Sequence, residues 1–586
     1  MLKRFFISFL GSFAGICVAG LILFFVFFMS ILIIGSKNSG SKVAVEKSSV
    51  LRIDFSGVVE DRYESSPLLD RLMGESQTVI PLNDLVNAIE RSASDDNIEG
   101  IYLECNGASA GLAQIEAIRT AIERFKESGK WVIAYSDAFT QGNYYLAASA
   151  DSVFLNPSGM VDIHGLSSTV LYFKDLLDKV GVRMQVVKVG TYKSAVEPFI
   201  LNGMSEANRE QLECFLGTMW KNISGSLALD RKVDTLAVNS WADSFCFARQ
   251  AEDYVKEKIV DRLYYKHQVE EQIAELTGKD KAEFIDFDAY IALKGKKPGK
   301  GARIAVLYAT GDITESGESG IASDRLVPEI LDLADNDDID GLIMRVNSGG
   351  GSAFASEQIW EALQQFKQKT GKPFYVSMVD YAASGGYYIS CGADRIYAEP
   401  LTLTGSIGIF GLIPDAQTLL NDKLGVHTAT VETNKGQLPD FFNAMTPEQA
   451  AAMQAHVDRG YELFTKRCAD GRHMKVEQIK AIAEGRVWDG ATALRLGLVD
   501  KLGGLDMALA DMAAVINEGT DHSGYDVTEY PKIKLEWYDE LLKLNSRLEE
   551  RAINSSLGEY GKYYRALHDI KSLSPLQCRM EYIDIR

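Results

Sequence analysis

Ser384 stands in the stretch Tyr381-Ala-Ala-Ser-Gly-Gly-Tyr-Tyr388, a setting suited to a nucleophile. Ala383 and Gly385-Gly386 are small enough for the sharp strand-to-helix turn that presents a hydroxyl in nucleophile elbows, with Ala382 in place of the usual leading glycine. A helix behind the serine would favour negative charge developing at its N-terminus. Taken alone, Ser-Gly-Gly reads first as a helix N-cap. A second element shifts the balance. Asn347-Ser-Gly-Gly-Gly-Ser352 directly follows a β-rich run, and consecutive glycines let a backbone turn and bring its N–H groups up to a ligand. Such a loop can hold a phosphate or form half of an oxyanion hole. The Gly-Lys-Ser/Thr of a Walker loop is missing, and in isolation the loop would be a tight surface turn.

A nucleophilic serine needs a base. His427 and His473 lie in no informative context. A lysine can take the role if burial brings its pKa toward neutrality. Lys193, in Val189-Gly-Thr-Tyr-Lys-Ser-Ala-Val-Glu-Pro198, follows an apolar strand-like run and is flanked by small or hydroxyl-bearing residues. Composition alone would leave it as a surface lysine at a strand end.

These residues sit in a duplicated framework. Ile98-Glu-Gly-Ile-Tyr-Leu-Glu-Cys-Asn106 matches Ile339-Asp-Gly-Leu-Ile-Met-Arg-Val-Asn347, Tyr144-Tyr145 matches Tyr387-Tyr388, and Pro157 matches Pro400. Gly165 answers Gly408, Gly181-Val182 answers Gly425-Val426, and Ile259-Val-Asp-Arg-Leu263 answers Leu498-Val-Asp-Lys-Leu502. The first copy carries Gln141 where the second has Ser384. Only one copy therefore keeps the hydroxyl, and that copy is the one specialised for chemistry.

Within a copy, buried-strand patterns (Arg303–Tyr308, Gly341–Val346, Pro373–Met378) alternate with helical ones (Arg325–Asp335, Ser356–Lys369). The alternation predicts βαβ units with a mostly parallel sheet, an α/β fold. The expected organisation is a membrane anchor at 1–36, a first α/β repeat at 51–275 supplying Lys193, and a charged Gly/Pro-rich connector at 276–302. A second repeat at 303–515 supplies Ser384, and an extension at 516–586 carries a polar helical pattern (Glu536–Arg551) but no chemical signal.

Bulk composition narrows the function. A chain of 586 residues exceeds one core. The net charge of −20 argues against nucleic acid as a partner, since phosphate contacts need concentrated Lys and Arg. Neither the seven cysteines nor the seven histidines show metal-site spacing. From Phe5 to Gly35 the chain runs 31 residues without a charge, longer than the ~7–15 apolar residues of a cleaved signal peptide and enough to span a bilayer. We read it as an uncleaved anchor. Lys3 and Arg4 on one side compete with Lys37, Lys42 and Lys47 on the other, leaving orientation open from charge.

In combination, Gly-x-Tyr-Lys-Ser-Ala at Lys193, Asn-Ser-x-Gly-Gly-Ser at 347–352, Ala-Ala-Ser-Gly-Gly-Tyr-Tyr at Ser384 and Leu403-Thr-Gly-Ser-Ile-Gly-Ile-Phe-Gly411 resemble the bacterial signal peptide peptidase A family in its long, membrane-anchored, tandem-repeat form, protease IV. The resemblance runs to about residue 515. It implies repeats of the Clp protease/crotonase kind after one transmembrane helix, and a Ser–Lys dyad protease that degrades cleaved signal peptides and other hydrophobic peptides. By motif, Ser384 is then the nucleophile and Lys193 the general base. Ser406 orients the amine, and the Gly350 and Gly385 N–H groups serve the oxyanion. It further implies a homo-oligomer (a tetramer), a body on the periplasmic side of the bacterial inner membrane, and no metal or organic cofactor. Two departures stand out. Gly349 replaces the family's usual proline in Asn-Ser-Pro-Gly-Gly, and Lys435, in Thr433-Asn-Lys-Gly-Gln-Leu-Pro439, occupies the repeat position equivalent to Lys193 and is a rival base. A crotonase-like acyl-CoA enzyme, or a non-catalytic membrane-bound scaffold that binds peptides, are the alternatives.

Overall fold

The computed structural model describes residues 45–63, 78–294, 301–317, 319–519, 524–532 and 576–581, with the single positions 15, 20 and 585. The first unit contributes β1 (Ser49–Phe55), β2 (Ile98–Cys105), β3 (Trp131–Ser136), β4 (Ser152–Leu155), β5 (Arg183–Lys188), β6 (Arg262–Leu263) and β7 (Phe284–Asp286). All but β5 form a parallel sheet in the order β6-β4-β3-β2-β1-β7. The second unit contributes β8 (Gly301–Thr310), β9 (Gly341–Ser348), β10 (Gly350–Ser352), β11 (Phe374–Ala383), β12 (Leu403–Gly405), β13 (Phe410–Asp415), β14 (Val487–Asp489) and β15 (Gly524–Tyr530). Its main sheet runs β14-β12-β11-β9-β8-β15 and is parallel except at β14. Sheets of this kind are covered on both faces, which is why β9 reads as an almost unbroken apolar run.

Helices on these faces start and stop where their local chemistry requires. The helix Ala353–Thr370 is capped by Ser352, whose hydroxyl accepts from Ala355 N, and ends at Gly371 with φ 64°. Its Ile359, Leu363 and Phe366 stripe is fully buried. The helix Ser323–Ala334 covers the expected 325–335 pattern except Asp335, which is its C-cap.

A third sheet joins the two units. It runs Ile321–Ala322, Ile313–Thr314, β10, β16 (Gln577–Arg579), β13, β5. β5 of the first unit lies antiparallel to β13 of the second, with Lys188 opposite Phe410. Two buried polar contacts reinforce the junction. The Arg345 guanidinium donates to Asp61 at 3.0 Å and to Ser377 Oγ at 2.8 Å. Asp380 accepts from Ala113 N at 3.0 Å, at the start of the helix Leu112–Glu127, and burial pushes its carboxyl up to about 6.

Two expected boundaries move. Within the connector expected at 276–302, β7 and the helix Phe287–Lys294 belong to the first unit, because β7 pairs in parallel with β1. Three residues are too short to show a β alternation. In the extension expected at 516–586, β15 pairs in parallel with β8, the counterpart of β7 on β1, and β16 enters the third sheet. Each repeat thus closes with an edge strand that its sequence pattern conceals. The anchor expected at 1–36 and the helical pattern 536–551 lie outside the described residues, apart from positions 15 and 20. Among the described residues no helix is long and apolar enough to cross a membrane.

Candidate active site

β11 ends at Ala383 and the short helix Gly385–Ser390 begins two residues later, so Ser384 is the turn itself. Its backbone adopts φ 57° and ψ −112°, a conformation costing a non-glycine residue roughly 1–3 kcal/mol. The turn is held by Ser384 N donating to Gly405 O at 2.8 Å and by Tyr388 N donating to Ser384 O at 2.8 Å. The side chain caps no helical N–H, so the N-cap reading of this serine does not describe what its hydroxyl does.

Instead the hydroxyl faces an amine. Lys193 Nζ lies 2.7 Å from Ser384 Oγ, 3.0 Å from the Ser406 carbonyl oxygen and 3.1 Å from Ser406 Oγ. A neutral amine has two hydrogens and one lone pair. Both hydrogens are used if Ser406 accepts them, which leaves the lone pair for the Ser384 O–H. Lys193 is 1% exposed and Ser384 0%. Burial drives the lysine down from 10.5 to about 7, against a smaller opposing influence of Cys578.

The lysine reaches across the repeats because β5 is stitched to β13 just before the loop that carries it. That loop is pinned by Tyr192 N donating to Glu484 O at 3.0 Å and by Arg486 stacking on both Tyr192 and Trp488. Gly485, with φ 78°, lets the chain pass against Lys193: a methyl there would lie 2.7 Å from the Lys193 Cβ. Ser406 also has a positive φ, 51°, and its N donates to Arg486 O at 2.7 Å.

Of the residues singled out in the sequence, Lys193, Ser384 and Ser406 meet, within one chain. The rival Lys435 sits exposed on the segment between Gly425 and the helix Pro447–Arg472. Gly350 and Gly385 lie side by side, since a methyl on Gly350 would be 2.7 Å from Gly385 N. The Gly350 N–H, however, donates to Ser348 Oγ at 3.1 Å. In the first repeat, Gln141 accepts from the N–H groups of His164 and Gly165, each at 2.9 Å, and donates to Gly165 O at 2.7 Å. The position equivalent to the serine is thus a structural tie.

Sequence reading missed the Glu484–Arg486 loop and the C-terminal residues Cys578 to Glu581. Gly485 offered the weak signal of a glycine between charges, and the C-terminal segment lies beyond the repeat and offered none. Glu581 Oε2 accepts from Ser194 Oγ at 2.8 Å and Asn208 Nδ2 at 3.1 Å, and burial raises its carboxyl to about 7. Both units wall a cavity of about 980 Å³ with Leu166, Leu171, Phe199, Leu403, Phe410 and Leu412 among its lining residues; neither Lys193 nor Ser384 lines it, though Ala195 and Ser348 do.

Residues 124–280 and 366–517 match Peptidase family S49. The chain belongs to that family. It is 34% identical over 553 residues to Protease 4 of Haemophilus influenzae, covering 90% of this chain and 88% of that protein. It is 36% identical over 526 residues to Protease 4 of Salmonella typhi, covering 85% and 84%. To the chloroplastic serine protease SPPA of Arabidopsis thaliana it is 30% identical over 486 residues, covering 80% and 69%. The two matched segments fall one in each repeat, and this S49 chain is a serine protease of mixed α/β fold. That membership sets aside the acyl-CoA enzyme and the non-catalytic scaffold.

Proposed function

We propose that this S49 peptidase is a Ser–Lys dyad endopeptidase that degrades cleaved signal peptides and other apolar peptides at a membrane surface. The observation that carries the reading is the buried Lys193 amine 2.7 Å from Ser384 Oγ. Ser384 Oγ attacks the substrate carbonyl while neutral Lys193 takes its proton. Ser406 holds the amine so that its lone pair faces the hydroxyl. The Gly350 and Gly385 N–H groups receive the oxyanion, Gly350 exchanging its bond to Ser348 Oγ for it, each donor worth roughly 3–4 kcal/mol in comparable serine sites. Lys193 then protonates the leaving amine, and water releases the acyl group from Ser384.

The apolar cavity shared by the two repeats supports apolar peptides as substrates, and the uncharged stretch Phe5–Gly35 supports an anchor that keeps the enzyme where such peptides collect. Repeats of the Clp kind, a homotetramer, and a body on the periplasmic face of a bacterial inner membrane complete the reading through the family resemblance. The test is turnover of an internally quenched apolar peptide by the full chain in detergent. Ser384→Ala and Lys193→Ala are expected to lose activity by at least 1,000-fold, and Lys435→Ala to keep it. Retained turnover in Ser384→Ala refutes the dyad, and loss in Lys435→Ala with retention in Lys193→Ala reassigns the base. A charged peptide of equal length cleaved as fast as the apolar one refutes the substrate class.

A further inference from the structure

The chain's own C-terminal residues lie against the glycine turns beside the buried dyad. β16 lies antiparallel to β10, with Gly351 opposite Cys578 and Gly350 opposite Arg579, and its other edge meets β13 at Phe410. The ladder is bracketed by Ala353 N donating to Leu576 O at 3.2 Å and Met580 N donating to Gly349 O at 2.8 Å. Hydrogen-bonded pairs alternate along antiparallel strands, so the Gly351–Cys578 pair between these two bonds is also a bonded one. The Gly351 N–H therefore faces the Cys578 carbonyl. That oxygen would lie 2.1 Å from a methyl on Gly350 and 3.0 Å from one on Gly385, so it is lodged between the two glycine turns beside Ser384. Without β16, β10 and β13 would present two open edges across one slot, the form of site that takes up an extended peptide as an added strand.

A latch holds the segment there. Glu581 is buried, and its Oε2 accepts from Ser194 Oγ and Asn208 Nδ2, on the loop of the general base and the helix that follows it. Gln211 ties this latch together, donating to Ser194 Oγ at 3.0 Å and to Asn208 Oδ1 at 2.9 Å. Met580 is buried and lines the shared cavity.

We propose that residues 576–581 are a built-in pseudosubstrate: the strand occupies the place of the peptide, sets the Cys578 carbonyl among the oxyanion donors, and must leave before a substrate can enter. The proposal rests on the dyad reading above, since it takes Ser384 as the group being covered. An intramolecular ligand competes at an effective concentration in the millimolar range, and a site populated in one conformer of ten binds its substrate about tenfold more weakly.

The experiment measures fluorophosphonate labelling of Ser384 and turnover of a short apolar peptide in the full chain. Glu581→Ala removes both latch hydrogen bonds and is expected to raise the labelling rate and kcat/KM about tenfold, mainly by lowering KM. Glu581→Gln keeps an oxygen that accepts both bonds and is expected to stay near wild type. Equal labelling rates in wild type and Glu581→Ala overturn the proposal, as does a loss of turnover in a folded Glu581→Ala chain. Hydrogen exchange on the unmutated chain decides the matter should that variant fail to fold. Amides of Cys578 and Met580 are expected to be protected in the free enzyme and to exchange rapidly once a peptidyl boronate occupies Ser384. Unchanged protection with the inhibitor bound overturns the proposal. Activity that survives Ser384→Ala would instead fail the dyad reading, so the two failures are distinct.

Discussion

Under the proposed dyad, the pH dependence of acylation follows from the burial of Lys193. An exposed lysine near 10.5 would be neutral in only about 0.03% of molecules at pH 7, whereas at about 7 half of the Lys193 amines are neutral. The gain in competent enzyme is on the order of a thousandfold, equivalent to about 4 kcal/mol. Its source is desolvation, with the Ser406 oxygens ordering the amine that results. The base acts when deprotonated, so activity is low in acid and rises with pH through the folded-state value. Over pH 6 to 8 the neutral fraction climbs from about 9% to about 91%, a tenfold rise. The assay is kcat/KM from pH 5 to 10 on an uncharged apolar peptide, with burst kinetics to isolate acylation. A single ascending limb with its midpoint near 7 is expected. A midpoint above 9 would mean that Lys193 is solvated in the working enzyme. A rate independent of pH below 7 would mean that another group takes the proton, and either result refutes the reasoning.

Other perturbations separate positioning from chemistry. Ser406→Ala removes one of the two oxygens that receive the amine hydrogens and leaves the carbonyl contact, so kcat should fall about tenfold or more with KM little changed; steady-state kinetics reads the split. Gly485→Ala places a methyl 2.7 Å from Lys193 Cβ at a residue with φ 78°, and is expected to cost about 1–3 kcal/mol in denaturant melts and to slow acylation at least tenfold. Lys193→Met is expected to stabilise the fold while abolishing turnover. The folded lysine sits near 7 and the unfolded one near 10.5, so the unfolded chain binds the extra proton between those values and wild-type stability rises with pH across that window. The methionine variant lacks this dependence, and its advantage, about 2 kcal/mol after the lost hydrogen bonds are subtracted, should be largest at or below pH 7 and fade toward pH 10.

Much of this site was legible because duplication leaves a record. The mismatch of Gln141 with Ser384 singled out the second copy, and the glycine loop and small neighbours of Ser384 gave the turn its chemistry. The strand–helix alternation gave the parallel sheets. The meeting of Lys193 with Ser384 was legible only through motif context, because nothing in the local pattern of β5 announces that it pairs with β13 of the other unit. Lys435 occupies the formally equivalent position yet stays exposed, so repeat symmetry alone would have chosen wrongly between the two amines as partners of Ser384. β7, at three residues, is shorter than any readable alternation, and β15 and β16 lie past the recognisable repeat. The C-terminal strand carries no signal of its own because its partners are backbone amides of Gly349–Ala353, which any sequence can pair with. Gly485 acts by what it lacks, a side chain, and only its φ and its approach to Lys193 reveal that.

The most direct test of the dyad is to find which side chain a fluorophosphonate modifies, and on which amine that reaction depends. Mass spectrometry of the labelled full chain should place the adduct on Ser384, with the rate rising through a midpoint near pH 7 and collapsing in Lys193→Ala. An adduct on any other residue, or undiminished labelling of Ser384 without Lys193, would contradict it.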